Sequence, residues 1–386
     1  MIKKLKKFTI QMIAGANIAT VIILLLVGYS DRLYPADHPL LSTAGLTFPI
    51  FLLINMAFLF FWLVFKWRMV WIPVVGYILA YVPISIYMPI NPSQTEPEGA
   101  LKLISYNVCC YGGNYKYEDG FGHVKDYLRE ERPDIVCLQE DVDTWRRYVF
   151  LEYGKFFAYN DTLVLSNDVQ SYNALGIHTR FPIIKRERIA YSSMSNGSAA
   201  WWLNVNGDTV IVVNNHFEGC HLTKDDRMQY RQILRGELSG DSARAGSKLL
   251  LVKLAEANAK RCRQIDVVCR YVQEHSRYPV IVCGDFNDTP ISYSRHAMSK
   301  VLTDCFTETG RGVGLSYNQK AFSFRIDHIF CSDDIVPYNC KIDSRMDASD
   351  HNPMICWLKI RQKAQKNERK SPINFGKWRK ISIFAG

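Results

Sequence analysis

The sequence has no CxxC pair and no Cys/His cluster with the spacing of a zinc site, which argues against the common structural zinc modules. It also has no internal repeat, so nothing in it indicates a repeat architecture. Its 386 residues are enough for one domain of ordinary size with extra elements, or for two small domains.

A complete set of disulfides is excluded as well, because the number of cysteines, 11, is odd. Cys137, Cys283 and Cys356 lie inside apolar, strand-like runs, where a free cysteine behaves as a small hydrophobic residue. We therefore expect most of the cysteines to be reduced core residues, which is unusual for a domain in an oxidising compartment.

The middle of the chain has no excess of basic over acidic residues, although the net charge of the whole chain is +10. Residues 1–30 contain four lysines and no acid, and residues 359–386 contain nine basic residues and one acid. The segment between the ends is slightly acidic and lacks the overall positive charge that binding to duplex DNA usually needs, although a local basic groove is compatible with it.

Three long apolar runs occupy the first 92 residues, namely Phe8–Tyr29, Leu46–Phe65 and Met69–Ile90. The first has 22 residues, enough to span a hydrocarbon core of about 30 Å. We interpret it as a retained helix and not a signal peptide, because no small-x-small cleavage site follows it. The third contains three prolines, which membrane helices tolerate. Residues 1–92 are therefore predicted to be a multi-pass membrane anchor.

The positions of the basic residues predict the orientation of this anchor. The lysine-rich N-terminus and the Lys66–Arg68 turn should be cytoplasmic. Three crossings then place the rest of the chain outside the cytoplasm, in the periplasm if the cell is Gram-negative. Loss of the third span would reverse that placement.

The chain after the anchor is predicted to be a linker at 93–99, a catalytic domain at 100–360 and a basic tail at 361–386. The tail mixes aromatic and basic residues, which suits an anionic bilayer surface, although a basic tail is most often a solvated extension. Within the domain, strands and helices alternate. The patterns predict one strand over Ala174–Ile184, a loop over Leu222–Ser247 and a long amphipathic helix over Lys248–Glu274.

The stretch Val280–Pro290, VIVCGDFNDTP, has the clearest functional pattern. Four apolar residues with the composition of a buried strand are followed by Gly284 and a polar turn. Such a strand end holds Asp285 and Asn287 on a rigid support, where they can face a metal or a phosphate.

Other predicted strands also end in, or are preceded by, polar residues of this kind, namely Asn107, Glu140, His216, Asp350 and His351. Carboxylates supply the oxygen ligands that Mg²⁺ prefers. Hydrolysis of a phosphate ester needs a polarised water, neutralisation of phosphoryl charge and a proton for the leaving group. Two histidines, amides and several acids are the residue types for those tasks.

The order and spelling of six motifs resemble the endonuclease/exonuclease/phosphatase superfamily, which has the DNase I-like fold. The motifs are LISYNV, DIVCLQE, VVNNHF, VIVCGDFNDTP, RIDHIF and SDHNPM. The resemblance covers about residues 100–360. It implies an α/β (α+β) fold, a four-layer sandwich of two packed sheets flanked by helices, with the site at one end.

The resemblance also implies roles for the residues. Asn107, Glu140 and Asp350 would form the metal site for Mg²⁺ or, alternatively, Mn²⁺. His216 would contact the scissile phosphate, Asp285 and Asn287 would orient the water and stabilise the transition state, and Asp327 would support His351. Either His351 or Asp285 would be the general base.

The segment ALGIHTRFPII departs from the family pattern. Thr179 and Arg180 keep the hydroxyl and the cation found there in many relatives, whereas His178 replaces an apolar residue. Arg180 and His178 are predicted to bind substrate. We find no counterpart in the sequence for the second histidine–glutamate couple of DNase I proper, which speaks against a strict DNase I assignment.

The sequence therefore predicts a membrane-anchored, metal-dependent hydrolase that cleaves a phosphoester by attack of water on phosphorus. Its partners would be the lipid bilayer and a phosphoester substrate, either a nucleic acid or a phospholipid or small phosphodiester. The alternatives are an endonuclease on DNA or RNA, a sphingomyelinase-like lipid phosphodiesterase and, in another class, a non-catalytic binding module. No protein partner can be inferred.

Overall fold

The computed structural model describes residues 2–112, 119–141, 151–166, 173–220, 223–235, 237, 240–319 and 322–361. The basic tail predicted at 361–386 therefore lies, except for Arg361, outside the described residues.

The N-terminal part consists of four helices, α1 (Ile2–Gly28), α2 (Phe48–Phe65), α3 (Trp71–Leu79) and α4 (Tyr81–Tyr87). α1 and α2 are each long and apolar enough to cross a membrane, and the bent pair α3–α4 makes a third candidate if it is counted as one span.

The third predicted helix, 69–90, is broken: α3 and α4 meet at an angle of 65°. Pro83 has no N–H to donate to the carbonyl of Leu79, four residues earlier. That carbonyl instead accepts a hydrogen bond of 2.7 Å from the Tyr29 hydroxyl at the end of α1. The break is therefore compensated by a neighbouring helix.

The rest of the chain forms two six-stranded sheets that pack face to face. The first contains, in spatial order, β13 (Ile335–Ile342), β14 (Met354–Ile360), β1 (Leu101–Asn107), β2 (Ile135–Gln139), β4 (Asn173–Thr179) and β3 (Tyr159–Ser166). The second contains β5 (Ile183–Ile189), β6 (Gly197–Val205), β7 (Asp208–His216), β8 (Val280–Asp285), β12 (Asp327–Cys331) and β9 (Thr303–Asp304). A short hairpin of β10 (Tyr317–Gln319) and β11 (Phe322–Phe324) lies outside them.

Helices cover the outer faces of both sheets. α5 (Gly120–Glu131) packs on the first sheet through residues such as Val124 and Leu128. α7 (Gly240–Glu274) and α8 (Tyr293–Met298) pack on the second through residues such as Ile265 and Met298. The remaining helices are α6 (Lys224–Leu234) and α9 (Cys305–Thr309). The predicted two-sheet α/β sandwich is confirmed.

Two sequence predictions about this region were wrong. Ala174–Ile184 is not one strand: β4 and β5 belong to different sheets, and the chain crosses between them at Phe181–Pro182. The segment Leu222–Ser247 is not simply a loop, because α6 and the start of α7 lie in it. A capping box, in which Thr223 and Asp226 exchange hydrogen bonds with each other's backbone N–H, begins α6.

The N-terminal helices contact the sandwich directly. Arg325, just before β12, donates to the carbonyl of Ile86 at the end of α4 over 2.6 Å. The loop between α1 and α2 packs on the loop after β8, where Gly45 is so close to the Ile291 carbonyl that an added Cβ would lie 2.0 Å from its oxygen. The predicted linker then runs past β13, where Asn339 accepts from the Gln94 N–H over 2.9 Å.

Candidate active site

Asp285 is the centre of the site and lies fully buried at the end of β8. β7 runs parallel to β8 and β12 runs antiparallel to it, so the register places His216 and Asp327 directly beside Asp285. Gly284, with φ of +131°, is required here, because a Cβ at this position would lie 2.0 Å from the Asn215 carbonyl oxygen.

The turn after β8 is fixed by hydrogen bonds. The Asn287 N–H donates to Asp285 Oδ1 over 2.7 Å, and the Asn287 side-chain amide donates to the Phe217 carbonyl over 2.9 Å. Asn287 has a left-handed backbone with φ of +51°, a conformation that asparagine adopts more readily than most residues. The Asn287 carbonyl accepts a hydrogen bond of 2.5 Å from the guanidinium of Arg261.

Asn107, at the end of β1, joins the two sheets. Its Nδ2 lies 3.1 Å from Asp285 Oδ2 and 3.3 Å from Glu140 Oε1. Its Oδ1 accepts from the Cys109 N–H over 3.0 Å. Asn107 thus turns a donor and not an oxygen toward the carboxylates, which favours a positioning role over the metal-ligand role predicted for it.

Glu140 follows β2 and reaches the same point from the first sheet. Its backbone is left-handed, with φ of +52°, and its carbonyl accepts from the Cys110 N–H over 3.2 Å. Its side chain is 28% exposed, compared with 2% for Asp285. Glu140 is therefore the carboxylate of this pair that is open to a solvated ion.

His216 approaches both carboxylates through Nε2, which is 3.8 Å from Glu140 Oε1 and 3.6 Å from Asp285 Oδ2. Its Nδ1 is 3.0 Å from the side-chain amide nitrogen of Asn173. Because that amide nitrogen can only donate, the hydrogen-bond network assigns the proton of neutral His216 to Nε2. His216 therefore presents an N–H donor to the site.

His351 faces Asp285 from the other side, with Nε2 3.7 Å from Asp285 Oδ2 and Nδ1 2.8 Å from Asp327 Oδ2. Burial alone would lower the pKa of His351, but the carboxylates of Asp327 and Asp285 outweigh it and raise this pKa to about 10. Burial also raises the pKa of Asp285, against the opposing effect of the His351 cation.

Asp350, which directly precedes His351, lies near the Cys109 thiol. Burial raises the pKa of this thiol, and the carboxylates of Glu140 and Asp350 raise it further. Cys109 therefore lies close to both of the carboxylates predicted to hold a metal.

His178 and Arg180 lie outside the site, so the prediction that they bind substrate is corrected. β4 runs antiparallel to β2, with Thr179 opposite Ile135, so its last residues lie at the end of the sheet away from Glu140. Arg180 forms an ion pair of 3.0 Å with Asp134 at that end. His178 is buried on the outer face, with Nδ1 2.8 Å from the Asn160 side-chain oxygen and Nε2 3.8 Å from Oδ2 of the buried Asp141. It therefore supports Asp141, the residue after Glu140, and does not itself face Asp285.

Two further residues that support the site, Asn173 and Asn214, were not predicted from the sequence. Asn173, at the start of β4, orients His216. Asn214 accepts from Gln139 over 2.6 Å and donates to the Leu138 carbonyl over 2.9 Å, which ties β7 to β2 across the core. The double asparagine before His216 was the available signal for Asn214, whereas nothing in the sequence distinguished Asn173.

The donor set fits a divalent cation. Ligand atoms of Asp285, Asp327 and His351 all lie within 4.8 Å of one another. Oδ1 of Asp327 is buried and has no hydrogen-bond partner among the described residues. Because His351 with its raised pKa is a cation, it would not itself ligate a metal, and the ligands left for an ion are carboxylate oxygens such as those of Glu140, which suit Mg²⁺ or Mn²⁺ better than soft metals.

Carboxylates, amides and two histidines thus lie together at one end of a two-sheet sandwich, and these are residue types that hydrolysis of a phosphoester requires. The chain belongs to the endonuclease/exonuclease/phosphatase family, whose model matches residues 104–351. Residues 10–87 match the model of a domain of unknown function.

The solved structures to which this chain is similar include the following three. D. rerio TDP2 with a single-strand DNA product has 16% identity and a TM-score of 0.48 over 68% of this chain and 100% of that one. The human nocturnin catalytic domain with bound sulfate has 15% identity and a TM-score of 0.47 over 69% and 96%. An endonuclease/exonuclease/phosphatase from Bacteroides vulgatus has 16% identity and a TM-score of 0.47 over 68% and 100%. Comparison with curated proteins found no match.

Proposed function

We propose that the protein is a membrane-anchored, metal-dependent hydrolase in which water attacks the phosphorus of a phosphoester. One observation carries this proposal. Nε2 atoms of two histidines, His216 and His351, lie 3.6 and 3.7 Å from the same oxygen of Asp285, and Asn107 links that oxygen to Glu140. A carboxylate that can accept a proton and imidazole N–H groups that can donate to phosphoryl oxygens therefore lie together around Asp285 Oδ2.

Glu140 and Asp350 are the residues that we assign to the divalent ion. When bound, Mg²⁺ or Mn²⁺ would neutralise phosphoryl charge and polarise the attacking water. Asn107 would hold the Glu140 and Asp285 carboxylates in place through its amide hydrogens.

The two histidines have different roles in this proposal. His216 donates from Nε2 to a phosphoryl oxygen. His351, whose pKa is raised to about 10 by Asp327 and Asp285, remains a cation at neutral pH and stabilises negative charge on the phosphoryl group. Of the two candidates for the general base, we therefore favour Asp285, which has a raised pKa and takes the proton of the attacking water.

Membrane anchoring is supported by the apolar α1 and α2 and by the bent pair α3–α4. α1 and α2 pack antiparallel, with the Asn17 amide donating to Asn55 over 3.1 Å and Trp62 donating to Asn17 over 2.9 Å. The Lys66–Arg68 turn after α2 then lies at the end of the helices away from the sandwich. This supports a cytoplasmic N-terminus and an extracytoplasmic catalytic domain.

The contacts between anchor and sandwich favour a lipid-borne phosphodiester as the substrate. Arg325, which holds the end of α4, is two residues from Asp327, and Ile291, which contacts Gly45, is six residues from Asp285. The site is thus at the end of the sandwich nearest the anchor. A nucleic acid is the second candidate, which the endonuclease branch of the family favours and the slightly acidic domain disfavours.

The test uses the full chain reconstituted in phospholipid vesicles with Mg²⁺. Hydrolysis of vesicle phospholipid, a soluble nitrophenyl phosphodiester, plasmid DNA and RNA is compared for the wild type and Asp285→Ala. We expect Mg²⁺-dependent hydrolysis of a phosphodiester that the variant loses by at least about a thousandfold. Absence of divalent-dependent hydrolysis of every substrate, with wild type and variant identical, would refute the proposal.

A further inference from the structure

The first half of α7 projects past the end of the sandwich that holds the site. Arg261 marks the level of the site, because it donates to the Glu218 and Asn287 carbonyls over 3.0 and 2.5 Å. The 21 residues of α7 that precede Arg261, 240–260, correspond to about 30 Å of helix. No residue from 240 to 254 is buried in the described structure, whereas buried residues recur from Ala255 onward.

One face of α7 packs on the loop between the two membrane-capable helices. Asn258 donates to Ser42 Oγ over 3.1 Å, and Tyr34 donates to Asp266 over 3.1 Å. Cys262 lies between Asn258 and Asp266 along the helix. These positions follow the four-residue spacing of a single helix face.

The same face continues into the projecting half of the helix. Arg244, Lys248 and Leu251 precede Asn258 by 14, 10 and 7 residues, which places them on or beside its face. Leu251 is 45% exposed, and Lys248 is also exposed. The Arg244 side chain is 86% exposed and lies 3.9 Å from the carboxylate of Asp241, which is exposed as well, a solvated pair that an anionic headgroup can replace. Basic residues around an apolar residue are typical of helices that lie in a membrane interface.

We propose that this face, Arg244–Lys248–Leu251, docks on the surface of an anionic phospholipid bilayer; this inference rests on the membrane anchoring proposed above. The loop at Ser42 connects directly to α1 and α2, which would enter the bilayer, so a helix face that continues past the loop meets the bilayer surface. Leu40 and Leu41 in that loop are themselves 60% and 59% exposed.

Docking of this face would orient the site toward the headgroups. α7 carries Arg261, which fixes the turn after β8 at Asn287. The same rigid helix therefore contacts the bilayer at one point and the site at another. A phosphodiester on a membrane lipid would be presented to Asp285 without leaving the surface.

Leu249 supplies a matched control, because it is 46% exposed but, two residues before Leu251, it points about 200° away around the helix. A photo-crosslinking benzoylphenylalanine replaces either residue in the full chain. The variants are reconstituted in vesicles of phosphatidylcholine with or without labelled phosphatidylglycerol, and the label transferred to protein is measured.

We expect crosslinking of labelled lipid at position 251 and several-fold less at position 249, and we expect Arg244→Glu with Lys248→Glu to weaken the 251 signal. Equal labelling at the two positions, or labelling at neither while alkaline extraction leaves the chain in the vesicles, would overturn the docking proposal and leave the anchoring intact. Release of the chain by alkaline extraction would overturn the anchoring and the docking together. None of these outcomes depends on hydrolysis.

Discussion

The side-chain amide of Asn107 donates to Asp285 over 3.1 Å, and this contact joins the ends of strands that belong to different sheets. The same nitrogen lies 3.3 Å from Glu140. A single amide thereby holds one carboxylate from each sheet in a fixed relation. The geometry of the site depends on the packing of the sandwich as a whole.

Replacement of Asn107 by alanine should lower kcat/KM by about a hundredfold, because two carboxylates lose the donor that positions them. Steady-state hydrolysis of a soluble phosphodiester measures the effect. Asn204→Ala is the control, since Asn204 accepts from the Gly207 N–H in the turn between β6 and β7, at the opposite end of this strand pair from His216. Equal activity of the two variants would contradict the positioning role.

Asp327→Asn should destabilise the protein in a pH-dependent way. The pKa of His351 is raised to about 10 in the folded state, against about 6.5 when unfolded. The charged pair therefore contributes fully below about pH 6.5, and its contribution disappears as the pH rises to about 10. The loss of unfolding free energy in the variant should be about 1.5–3 kcal/mol at pH 6.5 and smaller near pH 10.

Thermal unfolding of the full chain in detergent, at both pH values, measures this difference. Asp333→Asn is the control, because Asp333 is exposed in the connection after β12. A reduction in Tm that is the same at pH 6.5 and pH 10 would show that His351 is not a cation in the folded protein.

Glu140→Gln should weaken metal dependence more than it weakens folding. Glutamine keeps the size of the side chain and removes the negative charge that a divalent ion needs. The Mg²⁺ concentration for half-maximal activity should rise at least about tenfold, with activity recovered at high Mg²⁺. The control is Glu256→Gln, at an exposed position on α7, which should leave the Mg²⁺ titration unchanged. If Glu140→Gln also leaves the titration unchanged, Glu140 is not a metal ligand.

Arg180→Ala should leave KM and kcat within about twofold of the wild type. Arg180 lies at the far end of β4 with its guanidinium paired to Asp134, and its side chain is 55% exposed, so the loss of the pair should also affect stability little. A large increase in KM for a soluble phosphodiester would show that Arg180 binds substrate and would contradict its placement outside the site.

The site residues at strand ends could be predicted because the relevant signal is local. An apolar strand that ends at Asp285 or His216 places that residue at a sheet edge, and parallel pairing of β7 with β8 brings the two edges together. The two-sheet fold was predicted through the resemblance of six such motifs to the endonuclease/exonuclease/phosphatase family.

What could not be predicted depends on strand direction and on tertiary contacts. Thr179–Arg180 ends a strand as clearly as Asp285 does, but β4 is antiparallel to β2, so its beginning, Asn173, reaches the site. The polar composition of 222–247 also favoured a loop, because the projecting half of α7 buries no residue against the core. Only the Thr223–Asp226 capping box in that segment indicated a helix.

The most direct test of the central claim is hydrolysis of a nitrophenyl phosphodiester by the reconstituted full chain with Mg²⁺ in ¹⁸O-labelled water. The account predicts that ¹⁸O enters the phosphate product, and that both hydrolysis and incorporation are lost in Asp285→Ala. Appearance of ¹⁸O in the released nitrophenol, or equal hydrolysis by Asp285→Ala, would contradict attack of water on phosphorus at this site.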